Sequence, residues 1–180
     1  DMGYQIDEVQ RAIRDSEHRN ISMCYRGQGI GAKDKQFMDR HYEKHAEKHF
    51  HCATVPTTDR TLTVLYSDVN YFKTQFHKGI KSRADIGGSI SLYSPERQSE
   101  HLLLAKHCLA ETPEEDFFEK EDRRVICWKN VKEEDNEYFD NFVGCLAGLF
   151  KLGCEIRGKK KKQGTYSIKD YIQKQKEARE

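Results

Sequence analysis

Apolar positions along the chain switch between a helical and a strand period. Residues Gln5–Arg14 place Ile6, Val9 and Ile13 on one face and predict a helix. Met23–Gly31 carries Gly27, Gly29 and Gly31 and predicts a loop, and a charged helix is expected from about Asp34 to His49, before a turn at Pro56–Arg60. Thr61–Tyr66 is β-branched and aromatic and predicts a strand. Val69, Phe72, Phe76 and Ile80 fall at helical spacing over Val69–Ile80. After Gly87-Gly88, Ser89–Tyr93 predicts a second strand. Ser94-Pro95 then opens a helix to about Ala110, because Ser can cap and Pro suits a first helical position whose N–H has no partner anyway. Thr112-Pro113-Glu114-Glu115 repeats that start, with Glu115 placed for a capping box.

Arg124–Trp128 predicts a short buried strand, and Asp135–Leu152 the strongest helix, with a wide stripe from Tyr138 to Phe150. Gly144 and Gly148 bare one line of its backbone to close packing, and Gly153 can cap its end. Cys154–Arg157 and Thr165–Ile168 predict a terminal hairpin, and a polar helix follows from Lys169. Strands alternating with helices imply parallel pairing through right-handed crossovers. The expected class is α/β or α+β, a three-layer sandwich with a mixed, mostly parallel sheet and a C-terminal antiparallel hairpin. Its 180 residues suffice for a single domain, 1–180, with residues 1–55 a helical N-terminal portion.

Composition narrows the partners. Charged residues make up 34% and hydrophobic ones 36%, yet nine Phe and nine Tyr argue against disorder. The formal net charge is +1, so electrostatic recognition must come from local clusters. No window approaches the roughly 20 apolar residues of a membrane helix. The six cysteines stand singly, which leads us to expect reduced, mostly buried thiols and a cytoplasmic or nuclear setting. Because the chain begins at Asp1 and not Met, we expect a piece of something longer.

Arg157 and Lys159, Lys160, Lys161 and Lys162 put five cations in six residues between the two terminal strands. Such a tip can meet an acidic protein surface or the phosphates of a nucleic acid or nucleotide. Residues 40–52 hold four His and a Cys, and on a helix His41, His45 and His49 stack at i, i+4 and i+8, a spacing that can hold zinc or another divalent metal. Tyr42 and Ala46 stand where a zinc protease needs its Glu, and the chain has no Cys-x-x-Cys to complete a deaminase-type zinc site. The glycines of Arg26–Gly31 lack the spacing of a phosphate-binding loop. Asp68 ends the strand Thr61–Tyr66 where α/β enzymes place catalytic groups, and helix capping explains it equally. Residues Asp1–Tyr4 and Glu8–Arg14 resemble the Met-Gly-Tyr loop and second helix of ubiquitin-associated domains, a match too short to imply a function.

With no complete catalytic constellation, the expected function is a non-catalytic interaction or signalling module whose basic hairpin meets a phosphate-bearing or acidic partner. The alternative is a metal-dependent hydrolase or nuclease using His41, His45 and His49, with Asp68 or Glu43 as a further oxygen ligand. Replacing Lys159–Lys162 by Ala is expected to weaken binding to an anionic partner and flatten its salt dependence in titrations at several salt concentrations. Unchanged binding would remove the hairpin from the interface.

Overall fold

The computed structural model describes residues 6–37, 49–56, 61–93 and 99–154. In chain order its elements are α1 (Ile6–Asp15), β1 (Cys24–Gln28), β2 (Phe50–Pro56), β3 (Thr61–Asp68), α2 (Val69–Lys81), α3 (Leu102–Leu109), β4 (Thr112–Phe118), β5 (Arg123–Lys129) and α4 (Glu137–Lys151). The class is α+β. β3 lies at the centre of a mixed sheet, with β1 parallel on one side and β2 antiparallel on the other. β4 and β5 form a separate antiparallel pair. Only β1 and β3 therefore pair in parallel among the described residues, not most strands as expected. The predicted terminal hairpin and polar helix lie in 155–180, outside the described residues.

Three local expectations change, each for a tertiary reason. The glycine-bearing segment at 24–28 is a strand and not a loop, because Cys24 is buried and Gly27 lets β1 pass close to α2. A Cβ at Gly27 would stand 2.3 Å from Val69 Cγ2. With β2, this places two strands inside the portion expected to be helical. Ser89–Tyr93 forms no strand; the Ile90 N–H donates to Gly79 O at 2.9 Å, and its side chain covers Gly79, tying the segment to the end of α2. Thr112–Glu115 opens a strand and not a helix. Glu114 and Glu115 pair across β5 with Lys129 at 2.6 Å and Arg124 at 2.9 Å, and Pro113 is tolerated at the start of an edge strand.

Alternate residues of β3 serve different clusters, as the period of a strand requires. Leu62 and Val64 pack with Cys24 and with Ile6, Val9 and Ile13 of α1. Leu65 joins Phe72 and Phe76 of α2, Phe139, Val143 and Leu146 of α4, and Cys108 of α3 in the larger core. The bare backbone of α4 is used at one of its two glycines. The Tyr25 ring lies 3.3 Å from the place a Cβ at Gly144 would take, whereas nothing lies within 4 Å at Gly148. The Tyr25 hydroxyl meets Ser67 Oγ at 2.8 Å, and burial pushes its pKa up to about 12. All six cysteines are free thiols, but only Cys24 and Cys108 are buried, and Cys145 is exposed. Among the described residues no helix is long and apolar enough to cross a membrane.

The polar side of α2 fixes its neighbours. Lys73 is buried, with Nζ 2.5 Å from Glu111 Oε1 and 2.9 Å from Asp140 Oδ1. The Asn136 amide donates to the same two carboxylates, at 2.5 and 3.2 Å. The ammonium also stands 5.1 Å from the centre of the Phe139 ring. This network joins α2 to α4 and to the segment between α3 and β4. Replacing Lys73 by Ala leaves Glu111 buried without its cation and is expected to cost about 3–5 kcal/mol in urea unfolding, while the double replacement Lys73→Met with Glu111→Leu recovers most of that loss. A single-variant loss under about 1 kcal/mol would show that the pair is not desolvated as described.

Candidate functional site

α2 and β5 lie side by side because Asn70 and Thr74 hold them there. Asn70 Nδ2 donates to Ile30 O at 3.0 Å, while its Oδ1 accepts from the Trp128 main-chain N–H at 3.1 Å. The Trp128 indole N–H donates to Thr74 Oγ1 at 3.1 Å. Beyond these links the two elements diverge around an open groove of about 680 Å³. Trp128, Ile126 and Pro113 of the hairpin form one wall, and Lys78 and Lys81 stand on the α2 side. Ile86 and the Gly87-Gly88 turn close the far end.

The charge in this groove has one sign. No Asp or Glu is among the lining residues, and neither lysine is ion-paired among the described residues. His77, also in the lining, has its Nε2 3.2 Å from the Cys108 carbonyl and packs 4.4 Å from the Trp128 ring, centre to centre. Burial lowers its pKa from the ordinary imidazole value, and because a carbonyl can only accept, Nε2 donates to it.

A smaller cleft of about 330 Å³ adjoins the groove and shares Thr74, Gln75, Lys78 and Ile126 with it. Gln36 and Asn70 supply amide groups there, and His49 with Asp68 closes its end. Asp68 caps α2, its Oδ1 accepting from the Tyr71 N–H at 3.1 Å, as the strand-to-helix position predicts. Its main-chain N–H donates to His49 O at 2.9 Å, and its Oδ2 lies 3.1 Å from His49 Nδ1. The His49 ring stacks on Tyr71 with centres 3.8 Å apart and planes 5° from parallel. His49 has φ of 61°, a left-handed conformation uncommon for a residue with a side chain. Carboxylate contact at Nδ1 fixes the ring and leaves Nε2 as its chemically available nitrogen.

The candidate metal set is thus only partly on view. His41 and His45 fall within 38–48, outside the described residues, and His49 is engaged with Asp68. Among the described residues no group of three or more His, Cys, Asp or Glu gathers to hold a metal ion. Arg157 and Lys159–Lys162 also lie outside the described residues. The segment after β1 has main-chain N–H groups already taken up by carboxylates, one of its own and one from β4. Gly31 N–H donates to Asp34 Oδ2 at 2.8 Å and Ala32 N–H to Asp116 Oδ2 at 2.7 Å, while Arg123 holds the carbonyls of Ala32 and Asp34.

Trp128 packs against the core, as a strand residue of its kind is expected to, and also lines the groove, whereas Lys78 and Lys81 were passed over in the sequence. One signal was present: Thr74, Lys78 and Lys81 recur at i, i+4 and i+7, a polar stripe beside the apolar one. Asp68→Ala is expected to lower stability by about 1 kcal/mol in urea unfolding, and Asp68→Asn, which keeps an acceptor for the Tyr71 N–H, by less than half as much. Equal losses would assign the effect to the His49 contact and not to the cap. Compared with protein-family models, curated proteins and solved structures, the chain matches none of them.

Proposed function

We propose that this chain is a non-catalytic interaction module that binds an acidic segment of a partner protein in the groove between α2 and β5. The observation that carries this reading is the pairing of an apolar wall, Trp128, Ile126 and Pro113, with two lysines and no carboxylate. An apolar side chain buried on that wall supplies affinity, and carboxylates opposite Lys78 and Lys81 supply orientation and on-rate. Arg157 and Lys159–Lys162 act as a second cationic contact for the same acidic partner. Asn70 and Thr74 hold Trp128 in place before the ligand arrives, which lowers the ordering cost of binding.

A phage-displayed library of random peptides, selected on the whole chain, tests this reading. Recovered peptides are expected to combine Asp or Glu with an aliphatic or aromatic residue. Lys78→Glu combined with Lys81→Glu is expected to weaken the best peptide by about tenfold or more, equivalent to about 1.4 kcal/mol, with binding to the unaltered chain falling as salt rises. Both positions are exposed, so the fold tolerates the change. Recovery of no peptide, or a peptide indifferent to both reversals, contradicts the proposal. Preferential binding of an oligonucleotide that competes for the same lysines would replace the acidic peptide with nucleic acid.

A further inference from the structure

We infer that the ligand binds as an extended strand added to the outer edge of β5, its main chain in the 330 Å³ cleft and alternate side chains in the apolar groove. This rests on the acidic-peptide reading and specifies its conformation. Among the described residues, β5 has a strand partner on one side only. In an antiparallel pair, alternate residues turn both main-chain groups toward the partner strand and the residues between turn theirs away. The Trp128 N–H reaches Asn70 on α2, so Trp128 belongs to the outward set. Two and four residues earlier, Ile126 and Arg124 belong to it as well. Among the described residues, neither main chain makes a hydrogen bond outside the strand ladder. Asn70 thus occupies one rung of this edge with a side-chain amide, and the next, at Ile126, opens beside the cleft.

The cleft has the composition that a peptide main chain needs. Ile126 and Val125 line it with Gln75, whose side-chain amide can both donate to and accept from a peptide group, while the Gln36 and Asn70 amides beside it already bond to the main chain of the protein. The register then decides the side chains. Opposed residues of neighbouring strands share a face, as Pro113 with Trp128 and Glu115 with Ile126 do here. A ligand residue opposite Ile126 therefore points the same way as Ile126, into the groove that Lys78 and Lys81 flank. Its neighbours on either side point to the other face, where Asp116, Arg123 and Cys127 meet the 30–34 segment. On the groove side, Lys78 and Lys81 complement an acidic ligand residue. The ligand is expected to alternate, with acidic or apolar residues at every second position and little constraint between. Strand addition gives affinity through the main chain and specificity through alternate pockets, and this edge offers both.

The test scans the best library peptide with single N-methyl groups, each of which removes one N–H without altering the side chain. Alternation is expected: methylation at every second residue weakens binding about tenfold or more, and methylation between leaves it within about twofold. On the protein, Ile126→Pro removes the outward N–H without touching the ladder to β4 and is expected to weaken the peptide comparably, while Ile126→Val does not. The methyl scan needs no altered protein, so it decides even if Ile126→Pro does not fold. A peptide sensitive to Lys78→Glu and Lys81→Glu but without alternation in the methyl scan overturns strand addition and leaves the groove reading standing. Recovery of no binding peptide overturns both.

Discussion

A lysine ammonium placed out of water must be neutralised where it stands, and Lys73 sets that condition for this molecule. Its partners come from different parts of the chain: Glu111 before β4, Asp140 on α4, and Asn136 bridging the two carboxylates. Glu111 is as buried as Lys73, whereas the Asp140 side chain is 40% exposed, so the pair with Glu111 is the one solvent cannot rescue. Breaking such a pair costs more than forming it contributes, so the network acts mainly to exclude other arrangements of α2 and α4. The aromatic core around Phe72, Phe76 and Phe139 supplies the bulk of the burial, and the lysine fixes its register.

With one side of α2 fixed in this way, its remaining side is presented to β5 at a defined separation. Asn70 and Thr74 grip Trp128, and the stripe continues to Lys78 and Lys81 where the hairpin no longer touches it. The groove is therefore a consequence of how α2 is held, formed between elements and not within a loop. The same helix begins at the Asp68 cap, which brings His49 to the cleft end. Structural capping and placement of an imidazole in a cleft come from a single carboxylate, one oxygen for each.

What was legible in the sequence follows from range. The stripe Val69, Phe72, Phe76, Ile80 and the stripe of α4 are local and periodic, and both helices form where the pattern puts them, with Gly153 at a positive φ just past α4. The cap at Asp68 was readable because its partner lies three residues away. The strand β1 was hidden because its glycine exists to clear Val69, a contact across the fold. β4 was misread because Thr-Pro-Glu-Glu is a helix start in isolation, and only cross-strand ion pairs with β5 turn those carboxylates to another use. The groove could not be read at all, since it needs Trp128 and Lys78 brought together from separate elements. The 26–31 glycines suggested an open loop, but Asp116 and Arg123, far along the chain, close it.

Recognition between α2 and β5 is our proposal. Amide and indole chemical shifts of the isotope-labelled chain, followed while the best acidic peptide from library selection is added, address it most directly. The account predicts progressive shifts at Lys78, Lys81, Val125, Ile126 and the Trp128 indole, with α1 and β2 unmoved. Shifts confined to α1, β2 or residues 155–180, with the Trp128 indole unchanged, would contradict it.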